Sequence, residues 1–152
     1  HAGYVDELVG SVLPYVEQEF HVARDPAARA FGGLSMGGAL AVGLLERHPG
    51  LFGWYGIWSA APLPGGWGPR TAKEREAVRS ALGIHVGAGL QDDLARIGAS
   101  SRARADDYRM IGASVEEANV PGAHTWQVWR AELRSFLAST AFSGCDVDCA
   151  GT

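Results

Sequence analysis

The sequence predicts an α/β fold in which a parallel sheet carries helices on both faces. Short apolar runs rich in glycine and β-branched residues alternate along the chain with longer stretches whose apolar residues recur every three or four positions. Parallel strands need crossover connections long enough for a helix, so this alternation is their sequence signature. At 152 residues, 47% hydrophobic and 20% charged, the chain holds the apolar material for one compact core. Residues 1–142 are read as one domain and 143–152 as a loose tail.

Tyr4, Val5, Leu8, Val9, Val12, Leu13, Val16 and Phe20 share one face of a helix, which Pro14 should bend. Asp25-Pro26 reads as a turn, and residues 28–34 as a short buried strand closed by glycines. Residues 37–48 are apolar nearly all round and stop at Pro49-Gly50, as a buried helix would. A second strand follows over 54–59, then a turn-rich surface loop over 62–69. A charged helix over 71–82 leads to a third strand, 84–88. Asp93 is placed to cap the next helix, 94–110. A fourth strand is expected over 114–118. The last helix, 126–142, puts Val128, Trp129, Leu133, Phe136 and Leu137 on its buried face.

A formal net charge of -4 and the absence of any Lys or Arg run leave nothing to hold a phosphate backbone, so nucleic acid is not an expected partner. No apolar stretch reaches the roughly 18 residues of a membrane span, which predicts a soluble chain. His1 is followed by no basic-then-apolar export signal, and the chain start is read as a product of processing or cutting. Cys145 and Cys149 fit either a small terminal disulfide, which slightly favours secretion, or two unpaired thiols. No further ligand set makes them a zinc site.

The chemistry sits in Gly33-Leu34-Ser35-Met36-Gly37, a G-x-S-x-G pattern between a predicted strand and a predicted helix. A sharp strand-to-helix turn exposes the serine hydroxyl, and glycines two positions either side remove side chains that would collide. The competing account is a purely structural glycine-rich turn. The helix opening at Met36 directs free N–H groups at an oxyanion, which makes Met36 N–H an expected donor.

A serine needs a base, and the base needs an acid to hold its tautomer and stabilise its cation. Of the five histidines, only His124 follows a predicted strand on a loop, shaped by Pro121 and Gly122 and backed by Trp126 and Trp129. The acid belongs after the third strand, where GLQDD offers Asp92 and Asp93. Capping would account for Asp93, so Asp92 is favoured and Asp93 remains the alternative. Trp58 and Trp126 lie near the expected cleft and are candidates to line a substrate pocket.

With these residues in place the chain resembles the esterase group that includes esterase D, feruloyl and acetylxylan esterases, enterochelin esterases and mycolyltransferases. GLSMGG is similar to that group's nucleophile elbow. GLQDD and PGAHTWQVWRAELRSFL look like its acid loop and its histidine loop with the Trp-rich helix that follows. The resemblance implies an α/β-hydrolase-type sheet and a serine carboxylesterase with a Ser35, Asp92 and His124 triad. It also implies no metal or other cofactor, and a small-molecule or carbohydrate-linked ester as substrate. An acyltransferase on the same scaffold, or a noncatalytic binding or assembly module, are the alternatives. Members of the group carry further strands ahead of the first helix, so the chain reads as N-terminally truncated. The strand over 28–34 then lies at a sheet edge, open to a second copy or a separate N-terminal piece.

Overall fold

The computed structural model describes residues 2–60, 69 and 71–144. The expected loop over 62–69, apart from residue 69, and Cys145 and Cys149 lie outside the described residues. The chain opens with α1 (Ala2–Glu7), a π-helical stretch (Leu8–Val12) and α2 (Leu13–Glu19). Leu13 N–H donates to Leu8 O five residues back, one position before Pro14. A proline cannot donate to the helical ladder, and the wider turn absorbs that break. The expected apolar face is only partly used: Val5 is buried, whereas Tyr4, Val12 and Phe20 are exposed.

Four parallel strands follow, β1 (Ala30–Leu34), β2 (Trp54–Trp58), β3 (Gly83–Gly89) and β4 (Val115–Val120), in the spatial order β1-β2-β3-β4. Between them run α3 (Met36–Arg47), α4 (Ala72–Arg79) and α5 (Ile97–Met110), and α6 (Trp126–Ser135) closes the series, continued by a π-helical stretch (Phe136–Thr140). Thr71 caps α4 in a reciprocal arrangement, its hydroxyl accepting from Glu74 N–H while the Glu74 carboxylate accepts from Thr71 N–H. Asp93 does not cap a helix as expected. Its side chain makes no cap bond, and a 3-10 turn (Leu94–Arg96) with left-handed Ala95 and Arg96 intervenes before α5.

Strand alternation sorts the core into two layers. Tyr55 and Ile57 of β2, with Ile84 and Val86 of β3, face Val42, Leu44 and Leu45 of α3, Val78 of α4, and Ala105 and Tyr108 of α5. Trp54 and Trp58 face the opposite way, against Val128, Trp129 and Phe136. Helices therefore cover both faces, as the sequence predicts.

The α6 face carries a buried polar cluster that apolar periodicity conceals. Glu132, not Leu133 or Leu137, faces the sheet; Leu133 and Leu137 are exposed. The Glu132 carboxyl lies so close to Gly87 that any side chain there would collide with it. Neither carboxyl oxygen has a hydrogen-bond partner among the described residues. Facing it is His85, whose Nδ1 lies 3.9 Å from Oε2 and accepts a 3.0 Å hydrogen bond from the Trp58 indole N–H. Burial pushes Glu132 up to about 8 and holds His85 below the ordinary histidine value.

A carboxyl that keeps its proton in the folded state but loses it in the unfolded chain makes folding less favourable as pH rises. The loss runs from the ordinary carboxylate range to about 8, at no more than about 1.4 kcal/mol per pH unit. Glu132→Gln should therefore flatten the decline in stability over this window, measured by urea unfolding at a series of pH values. Parallel profiles for the two proteins would contradict the assignment.

Candidate active site

All four strands end along one rim, because the register sets Leu34 beside Trp58 and Trp58 beside Gly87. Backbone bonds carry this alignment past the strand ends. Ser35 N–H donates to Trp58 O at 2.9 Å, Ser59 N–H to Gly87 O at 2.8 Å, and Leu90 N–H to Val120 O at 2.8 Å. The loops after β1, β3 and β4 thus start side by side, which is where parallel sheets place their sites.

Ser35 occupies the turn between β1 and α3 with φ 53 and ψ -114, a conformation that costs a residue bearing a side chain on the order of 1–3 kcal/mol. Tight packing holds it there. A Cβ at Gly33 would run into the Gly37 backbone, whereas a Cβ at Gly37 would meet nothing. Only the first flanking glycine is therefore required for clearance, and Gly37 matters for how near its backbone comes. Gly38 sets α3 against the strand ends, since a Cβ there would lie 2.9 Å from Trp58 O and from the Ala60 Cβ. Met36 N–H, in the first turn of α3, has no acceptor within the helix and sits directly after the serine.

The Asp92 side chain is fully buried and that of His124 one-fifth exposed. His124 Nδ1 lies 2.9 Å from Asp92 Oδ2, and His124 Nε2 lies 3.0 Å from Ser35 Oγ. One imidazole therefore bridges residues separated by 57 positions in the sequence. Asp93, the alternative acid, is exposed and makes no bond to the ring.

Gln91, which the sequence did not single out, ties the acid loop to the histidine loop. Its N–H donates to Gly122 O at 2.9 Å, and its side-chain oxygen accepts from Gly122 N–H at 2.6 Å. Gly122 has φ +131, and Gly89 lies so near the Gly122 carbonyl that a side chain there would collide. Gln91 and Gly122 stand 31 positions apart, so no local pattern in the sequence marks this link.

The two tryptophans part company. Trp126 is 68% exposed at the start of α6, beside the histidine loop. Among the described residues Trp58 is packed inside and not open to the rim. It is buried, lies over Gly32 and Gly56, and spends its indole N–H on His85. Its place on β2 turns it toward the core beneath α6. Among the described residues no group of three His, Cys, Asp or Glu side chains is arranged to hold a metal, and no helix is long and apolar enough to cross a membrane.

Residues 2–140 match the family described as "Putative esterase". The chain belongs to this family. An endo-1,4-beta-xylanase/feruloyl esterase from Xylanibacter ruminicola is 29% identical over 133 residues, which are 87% of this chain and 17% of that protein. A ferulic acid esterase structure aligns with a TM-score of 0.72 at 23% identity, covering 88% of this chain and 59% of the other. A ferulic acid esterase from Anaeromyces mucronatus gives 0.76 at 19%, covering 91% and 53%. The enterobactin esterase from Shigella flexneri gives 0.71 at 22%, covering 90% and 38%. This esterase-family chain thus has an α/β-hydrolase-type sheet and spans between about one-sixth and three-fifths of the length of these relatives.

The contrast between the two glycines gives a test of the turn. Gly33→Ala should destabilise the fold by about 1–3 kcal/mol, the usual cost of overpacking, and lower the thermal midpoint by several degrees. Gly37→Ala, inside a helix and facing open space, should be neutral or gain up to about 1 kcal/mol. Equal melting curves for the two variants would refute the packing described.

Proposed function

We propose that this chain is a serine carboxylesterase that works through an acyl-enzyme on Ser35. The observation that carries the reading is the continuous hydrogen-bonded line from Asp92 through both nitrogens of His124 to Ser35 Oγ. Ser35 Oγ bonds to the ester carbonyl carbon while its proton passes to His124 Nε2. The carbonyl oxygen takes up negative charge facing Met36 N–H, a donor worth about 3 kcal/mol in such sites. The bond to the leaving alkoxide then breaks, and His124 returns the proton to it. Water repeats the sequence, giving a proton to His124 and its oxygen to the acyl carbon, and Ser35 leaves reprotonated. Asp92 accepts from Nδ1–H throughout and stabilises the imidazolium. Every atom transferred comes from substrate, protein or water.

Trp126 supports a substrate-binding role by its exposure at the edge of the histidine loop. Similarity to ferulic acid and enterobactin esterases makes a small-molecule or carbohydrate-linked ester the substrate class we favour. Turnover of p-nitrophenyl butyrate should be abolished in Ser35→Ala and fall about 10⁴-fold in Asp92→Asn, with Asp93→Asn close to wild type. Undiminished turnover in Ser35→Ala would remove the serine from the reaction.

The edge position of β1 also supports strand pairing with a second copy or a separate N-terminal piece, because one side of its backbone has no neighbouring strand among the described residues. Light scattering should find particles larger than one chain; a strictly monomeric protein would argue against pairing with a second copy.

A further inference from the structure

The hydrogen bonds of His124 fix it from two directions, and its ring has a third neighbour. The Trp129 indole stands perpendicular to the imidazole, at 89° with centroids 4.8 Å apart. Trp126 in turn stands at 84° to Trp129, with centroids 5.1 Å apart. Trp129 is held firmly. It is 9% exposed, its backbone N–H donates to Thr125 O in the first turn of α6, and the preceding Val128 is buried against Gly122 of the histidine loop.

Stability alone gives a poor account of an indole here. Trp129 Nε1 is buried without a hydrogen-bond partner among the described residues, a cost that a phenyl ring would avoid. What the larger ring supplies is reach to the imidazole.

That reach matters at one stage of the reaction proposed above, on which this inference rests. Once Ser35 Oγ carries the acyl group it can no longer donate to His124 Nε2. The ring then keeps Asp92 as its one hydrogen-bonded anchor and is free to rock about it. We propose that Trp129 is a positioning residue that holds the His124 imidazole in line through the acyl-enzyme stage. Nε2 then remains where it can take a proton from the attacking water and return it to Ser35 Oγ.

The test compares Trp129→Leu and Trp129→Phe with wild type on p-nitrophenyl butyrate, following both the pre-steady-state burst and the steady state. A displaced base costs catalysis more than ground-state binding, so kcat in Trp129→Leu should fall at least about tenfold while KM moves less than about threefold. A burst should persist or grow, because deacylation suffers more than acylation. Trp129→Phe, whose smaller ring reaches less far toward the imidazole, should recover only part of the loss. Should Trp129→Leu fail to fold, Trp129→Met carries the same expectation with more of the volume retained. A folded variant without the ring but with wild-type kcat and burst would overturn the proposal. So would an equal loss in Trp129→Phe and Trp129→Leu. Ser35→Ala, run alongside, separates the two levels. Turnover surviving in it overturns the triad and the role of Trp129 together. Turnover lost in it but kept at the wild-type level in Trp129→Leu overturns the role of Trp129 alone.

Discussion

An imidazole ring has two nitrogens, and in this protein each meets a different strand-end loop: 2.9 Å to Asp92 after β3 and 3.0 Å to Ser35 after β1. Such a bridge tolerates little error, since a shift of half an ångström in either loop stretches one of the two bonds beyond useful length. The sheet register meets this demand. Leu34, Trp58 and Gly87 lie abreast, and the rim continues their hydrogen bonding through Ser35, Ser59 and Leu90. Gln91 then ties the loop bearing Asp92 to the loop bearing His124 by two bonds to one glycine. The distance from Asp92 to His124 is thus set by backbone as much as by the side chains themselves.

Around the rim the fold accepts unfavourable local states that the layers beneath hold in place. Ser35 keeps a left-handed φ because α3 is packed closely on the strand ends through Gly33, Gly37 and Gly38. Below α6, Glu132 and His85 are fully buried with incomplete hydrogen bonding. The Trp58 indole crosses from β2 to meet His85, and Phe136 closes over both rings. A polar interior of this kind stabilises less than an apolar one of the same volume. It couples the last helix to β3, the strand that delivers Asp92.

Much of the fold was legible because its signals are local. Glycine spacing marked the turn at Ser35, apolar periodicity marked α3, and the order of loops selected His124 among five histidines. The sequence favours Asp92 over Asp93 because Asp93 is placed to cap a helix. It caps none, and what separates the two is that only Asp92 is buried beneath the ring. Periodicity failed where hydrophobicity and orientation part. Leu133 and Leu137 carry the apolar signal of α6, yet Glu132 points inward because α6 crosses β3 where Gly87 leaves room for it. The first helix misled in the same way, with Tyr4 and Phe20 outside despite their spacing. The link between Gln91 and Gly122 depends on two loops meeting in space, and no window of sequence contains both.

In the proposed reaction one imidazole activates one serine, and covalent labelling reads that activation directly. A fluorophosphonate probe reacts with a serine in proportion to its activation, and peptide mapping by mass spectrometry identifies the residue modified. Phosphonylation is expected at Ser35 alone in the wild-type chain, with labelling lost in a folded His124→Ala variant. Modification at a different serine, or a rate at Ser35 that is unchanged without the imidazole, would contradict it.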